Sequence, residues 1–286
     1  MAVAAGSFRR YATYRVATAA GVFTNTVFGF IVAYTFVALW AERPHLGGYG
    51  QAQALTFVWV AQALLAAAAL MGGGGLEELQ ERIRTGDVAV DLYRPADLQL
   101  WWLAADLGRA GMQLIGRGVV PMAVGALVFP LALPGDALTW GWFLLSVLLG
   151  IVVSFGLRYL VALASFWLLD GSGLSLISGL ACMFFSGMLL PLRVFPGGFG
   201  EVVQLLPWAA ILQVPADVLI GARSGGALLR GLVFQAAWGG GCWRWGGWCS
   251  PRRPAGWWCT VADDGGRIPA RDGWRAAAAQ GCTRTG

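Results

Sequence analysis

The 286-residue chain is 57% hydrophobic and only 12% charged, with mean hydropathy +0.63, about half the charge of an ordinary soluble domain. All 20 basic residues are arginine and there is a single histidine, His45. These counts exclude a phosphate-binding P-loop and Schiff-base chemistry, which need lysine, and also exclude histidine-cluster metal sites and most histidine acid–base catalysis. The net charge of +5, in so apolar a chain, is not a nucleic-acid footprint; it fits arginines at the cytoplasmic face of a membrane.

Arg9, Arg10 and Arg15 precede an uncharged run from Val16 to Ala41. About 20 such residues cross a bilayer at 1.5 Å each, so this is a first, retained span with a cytoplasmic N-terminus. Within it Gly21, Asn25 and Gly29 recur every four residues and share a helix face, the pattern of close helix packing. Ala41 to Gly50 is a turn-rich outer loop carrying His45, and a second span from Gln53 to Met71 ends at four consecutive glycines, Gly72 to Gly75.

Leu76 to Arg109 is the one sizeable polar segment within the apolar part, and its four arginines place it in the cytoplasm. Leu76 to Ile83 reads as a short amphipathic helix; Thr85-Gly86-Asp87 and the stretch around Pro95 read as turns. No nucleophile–base pair is present. A third span runs from Met112 to Leu133 with Arg117 near its cytoplasmic end, close enough to snorkel to the headgroups. A fourth runs from Thr139 to Leu169 and holds Arg158, which either snorkels or pairs, or marks a functional site. Asp170-Gly171-Ser172-Gly173 is a tight turn, a fifth span covers Leu174 to Leu190, and a sixth begins near Ala227.

Between the last two, Phe184 to Gly221 is apolar yet broken by Pro191, Pro196, Pro207 and Pro215. Proline removes a backbone donor and ends helices, so one continuous span is forbidden. Short apolar pieces beside full-length spans indicate a re-entrant or interfacial element, the alternative being an ordinary amphipathic outer loop. The order Phe185-Ser186-Gly187, Pro191-Leu192, Phe195-Pro196, Leu206-Pro207, Pro215 and Leu219-Ile220-Gly221 resembles the permease subunits of type-2 ABC transporters over residues 8 to 238. The resemblance implies a re-entrant helical hairpin on the outer face, with Gly187, Pro191, Phe195, Pro196, Pro207, Pro215 and Gly221 as its marks. It also implies a cytoplasmic helix that docks on an ATPase subunit, assigning coupling to Glu77, Glu78, Glu81, Arg82, Asp87, Arg94 and Asp97.

After Trp238 the composition changes: four of the five cysteines and six of the fifteen tryptophans lie beyond it. The cysteine spacings fit no zinc pattern. Read two bases later, a GC-rich gene for this stretch can encode a Leu/Val-rich helix end followed by arginines, so residues 239–286 are expected to be a frameshifted or mis-assigned tail.

The sequence thus predicts an all-α integral membrane protein of about six transmembrane helices with a re-entrant hairpin before the last. Its parts are a permease domain, 1–238, and an atypical tail, 239–286. By resemblance it is the permease of an ATP-driven exporter in the plasma membrane. It would dimerise with itself or a sister permease, sit in membrane lipid, and draw on ATP and Mg²⁺ bound by a partner ATPase. No catalytic residue, metal, cofactor or nucleic acid is expected on this chain. Arg117 and Arg158 are its intramembrane charges. An ion-coupled secondary transporter would need repeats and a carboxylate within its spans, and none is seen there; a membrane enzyme lacks its clustered acids; a purely structural membrane protein stays open.

Overall fold

The computed structural model describes residues 2–71, 74–93, 96–168 and 171–250. Among them the regular structure is helical, without strands. The order is α1 (Ala2–Ala12), α2 (Arg15–Glu42), α3 (Gln51–Ala67), α4 (Leu76–Thr85), α5 (Val88–Tyr93), α6 (Leu98–Gln113), α7 (Val119–Val128), α8 (Ala137–Ala164), α9 (Ser172–Phe185), α10 (Gly197–Leu205), α11 (Gln213–Leu219) and α12 (Gly225–Cys249). A π-helical turn, Leu114–Gly118, joins α6 to α7, and a 3₁₀ turn, Pro207–Ala210, precedes α11.

Among the described residues, three helical runs are long and apolar enough to cross a membrane: α2, the continuous run Leu98–Val128, and α8. α3 and α9 are apolar but shorter, at 17 and 14 residues. The third run starts 14 residues before the expected boundary at Met112, because Asp97 caps it: its side chain accepts from Leu100 N at 2.9 Å. Asp106 and Arg109, expected in a cytoplasmic loop, therefore lie inside a long helix.

α3 is the centre of the fold. Every residue from Ala54 to Gln62 is buried, as expected of a helix surrounded by others. Trp59 is received by two glycines: a methyl group at Gly29 of α2 would meet its ring at 2.8 Å, and one at Gly125 of α7 would overlap it. Asn25 is buried on the same face of α2 and donates to Gln62 O at 3.4 Å, so the Gly21–Asn25–Gly29 stripe is a packing face for helix contact. At one end of the bundle α1 lies along α6, with Gly108 against the Ala4 carbonyl.

The broken stretch forms the expected helical pieces. Pro196 caps α10, Pro207 opens the 3₁₀ turn, and the two halves of the hairpin meet at 68°. Pro215 corrects the sequence reading. It does not break a helix but sits in the first turn of α11, where its missing N–H has no intrahelical role. All seven residues of α11 are buried. Gln235 of α12 ties the hairpin down, donating to Ala210 O at 2.7 Å and to Ser146 O of α8 at 2.9 Å. α12 runs on through Cys249, packing Gly246 against Gln99 and Tyr159; residues 251–286 lie outside the described residues.

Candidate functional site

Two groups of polar side chains lie at opposite ends of α3, and the amphipathic α4 lies beside one of them. α4 buries Leu76, Leu79 and Ile83 in an apolar cluster with Phe155, Tyr159, Ala162 and Leu163 of α8 and Trp102 of α6. The i, i+3, i+7 spacing puts these three on one stripe, which leaves Glu77, Glu78 and Glu81 on the exposed face. Gly86 ends the helix in the left-handed region at φ 88°.

The residues assigned to coupling by resemblance divide into two groups. Glu77, Glu78, Glu81 and Asp87 are exposed on α4 and the turn after it. Glu81 is bound by both arms of Arg84, at 2.9 and 2.8 Å, which holds its carboxyl below the ordinary value. Glu78 pairs with Arg10 of α1 at 3.1 Å, and Asp87 accepts from Thr85 at 3.0 Å. Arg82 and Asp97 have internal partners instead: Arg82 Nε stands 2.7 Å from the buried Asp91 of α5, and Asp97 caps α6. Arg94 lies outside the described residues.

Where the chain passes from α3 to α4 it meets a buried ion cluster. Asp106 is 4% exposed and accepts from Arg109 Nε at 2.8 Å and from Arg158 Nη2 at 2.8 Å. Arg109, equally buried, donates to the Ala66 and Ala67 carbonyls at 2.7 and 2.9 Å. Those carbonyls stand at the C-terminus of α3, where intrahelical donors run out and a cation also complements the helix dipole. Arg158 also donates to Ser154 at 3.2 Å, and Ser154 in turn to Ala68 O at 2.5 Å. Gly74, at φ +89°, lies over this cluster: a methyl group there would come within 2.6 Å of Arg158 Nη1. Arg158 is thus an ion-pair member. The acid it pairs with, Asp106, and the second arginine on that acid, Arg109, were missed because the sequence reading placed them in a loop; their signal was an Asp-x-x-Arg pair, which faces one side of a helix, directly before an apolar run.

Arg117 differs. It projects from the π-helical turn across Gly21 of α2 and donates to Ala17 O at 2.6 Å, and no carboxylate partner accompanies it among the described residues.

At the other end of α3 the hairpin closes on Asp217, which is fully buried. It accepts from the Tyr49 hydroxyl, from Gln213 Nε2 at 3.0 Å, from Arg193 Nη2 at 2.9 Å and from Arg223 Nε at 3.1 Å. Burial first, then the Asp217 charge, raises the Tyr49 phenol above its ordinary value. Gln213 Oε1 accepts from Leu192 N at 2.8 Å, close beside Gly187 at φ +90°. Of the hairpin marks, Gly187 and Pro191 thus border this group, while Gly221 makes the positive-φ turn that follows α11. Asp217, Tyr49 and Gln213 were not singled out in the sequence; the signal was Asp217, the one acid between Val202 and Gly221.

No metal-binding group of acids, cysteines or histidine occurs among the described residues. What the arrangement offers is mechanical. α3, tied by Arg109 at its C-terminal end and by Gln53 Nε2 to Ile220 O (3.2 Å) at the other, joins the surface helix α4 to the hairpin. No curated protein matches the chain. A family model described as ABC-2 family transporter protein matches residues 22–239, three-quarters of the length. A bundle of apolar helices, a broken apolar hairpin and that match agree: this is a multi-pass membrane protein, the permease component of an ABC transporter, and it belongs to the ABC-2 family.

Proposed function

We propose that the chain is the substrate-path subunit of an ATP-driven exporter in the plasma membrane. It crosses six times with its N-terminus in the cytoplasm and works as a dimer with itself or a sister permease. ATP and Mg²⁺ are bound and hydrolysed by a separate ATPase subunit that docks on α4, with Glu77, Glu78, Glu81 and Asp87 on the contact face. Arg82 and Asp97 support that face, and Arg94 is assigned to coupling by the family resemblance alone. The chain carries no chemistry of its own; its work is a change of packing between two helix arrangements.

The observation that carries the coupling role is the seating of α4. It enters through Gly74, against the guanidinium of Arg158, and packs its apolar stripe on α8. A displacement of α4 by a docked partner is delivered straight to Asp106, Arg109 and the end of α3. The hairpin, with Pro191, Phe195, Pro196 and Pro207 shaping its turns, closes the far end of the path through Asp217.

The test is co-purification from native membranes. An ATPase subunit should be recovered with the full chain and lost when residues 77–97 are replaced by a Gly/Ser linker. Its absence from gently solubilised, intact material would overturn the coupling reading, and its retention by the linker variant would move the docking surface elsewhere.

A further inference from the structure

A groove of about 560 Å³ runs along the first turns of α2, between it and the Met112–Gly116 stretch of the third run. From Arg15 to Thr26 it follows about 16 Å of helix at 1.5 Å per residue, enough for much of an acyl chain. Ala12, Ala19 and Gly116 line it with nothing beyond a β-carbon, which leaves the space open, and Val22, Phe23 and Met112 make it apolar. Thr18 and Thr26 add no free donor, because their hydroxyls donate to the Tyr14 and Val22 carbonyls at 3.0 and 2.8 Å.

One end of the groove is cationic. Arg15 is exposed and is the charged residue of the lining. Among the described residues it has no ion-pair partner: Glu78 is taken by Arg10, and residues 1–41 hold no acid. Arg15 also opens α2, whose first turn carries neither an acid nor a side-chain cap. A helix N-terminus bears about half a positive charge and is ordinarily complemented by an acid. Here a guanidinium adds to it instead, which leaves the site ready for an anion. Tyr14, beside it and 61% exposed, is a residue type favoured at the headgroup level of a bilayer.

We propose that this groove binds an anionic phospholipid, its phosphate on Arg15 and the start of α2, with one acyl chain along Ala19, Val22 and Phe23. It is a fixed lipid that braces α2 against the π-helical turn, and is not cargo. Resting on the reading that puts the N-terminus in the cytoplasm, it comes from the inner leaflet, where anionic lipids concentrate.

The test uses the full-length chain, delipidated, in dodecyl maltoside micelles, with the thermal unfolding midpoint as readout. The probes are dioleoyl phosphatidylglycerol, dioleoyl phosphatidylcholine and glycerol 3-phosphate. Phosphatidylglycerol should raise the midpoint saturably. Phosphatidylcholine, with the same chains and no net charge, should bind several times more weakly, and glycerol 3-phosphate, the head alone, should give no shift. Arg15→Gln should weaken phosphatidylglycerol about fivefold, the worth of one basic residue at an anionic surface. Arg9→Gln, an exposed arginine outside the lining, should weaken it less than about twofold. Ala19→Trp, which fills the groove from an exposed position, should weaken it more than Arg15→Gln does; Thr26→Trp decides in its place if that variant does not fold. Equal shifts by the two lipids, a full shift by glycerol 3-phosphate, equal losses at Arg9 and Arg15, or a filled groove that binds like the parent would overturn the proposal. The assay needs neither an ATPase nor a membrane orientation, so failure here leaves the co-purification result standing, and the reverse also holds.

Discussion

Asp106→Asn is the sharpest probe of the ion cluster. The asparagine keeps the shape of the side chain and one carbonyl acceptor, but turns an NH₂ donor toward a second donor. Asp106 and Arg109 are each 4% exposed and the Arg158 side chain 12%, so water does not replace what is lost. Two charge-assisted hydrogen bonds collapse to one weaker bond beside two guanidiniums that have lost the carboxylate they shared. Breaking a buried pair in this way costs about 3–5 kcal/mol. Arg158→Gln leaves the Asp106–Arg109 pair intact and neutral, and loses charge-assisted bonds worth about 1.5–3 kcal/mol. At roughly 2–4 °C per kcal/mol for a chain of this size, Asp106→Asn should lower the midpoint by about 6–20 °C, and Arg158→Gln by clearly less. The assay is tryptophan fluorescence during thermal unfolding in detergent micelles. An Asp106→Asn midpoint within about 2 °C of the parent, or an Arg158→Gln variant that is the less stable of the two, would refute the reasoning.

Gly74→Ala places a β-carbon at φ +89° within 2.6 Å of Arg158 Nη1; left-handed strain of about 1–2 kcal/mol should lower the same midpoint, and ATP turnover of the assembled complex should fall with it. The raised Tyr49 phenol contributes stability that is whole below the ordinary phenol value near 10 and is lost as pH rises above it. Proteolysis of the hairpin should therefore accelerate on the alkaline side of about pH 10 in the parent; a Tyr49→Phe variant with the same alkaline slope would argue against this. For the tail, Gly239, Gly240, Gly241, Gly246 and Gly247 within α12 each cost about 1 kcal/mol relative to alanine in a helix. A gene restored to the alternative frame should give a more heat-stable protein, whereas a clean reading frame through codon 286 on resequencing would dismiss the frameshift.

Part of the site was legible before the fold. The amphipathic spacing of Leu76, Leu79 and Ile83 fixes which face of α4 is free, and Gly86 fixes where the helix stops. Arg158 stood out as a charge among apolar residues. The cluster as a whole was not legible, because Asp106 and Arg109 look like the end of a polar loop until Asp97 is known to start a helix. The Pro215 reading failed for a related reason: a proline's effect depends on its distance from a helix start, which the sequence left open.

By itself the sequence determined the membrane character, the existence of long apolar helices and the existence of a broken hairpin. Each follows from local properties: uninterrupted apolar length, the missing donor of proline, and the absence of lysine and histidine chemistry. Only the tertiary structure decided which charges meet. Asp106 finds Arg158, 52 residues away, and Asp217 finds Arg193, 24 residues away, with Tyr49 from the far side of the chain. Charges in an apolar bundle must find partners or remain desolvated alone, and where those partners come from is set by how the helices pack.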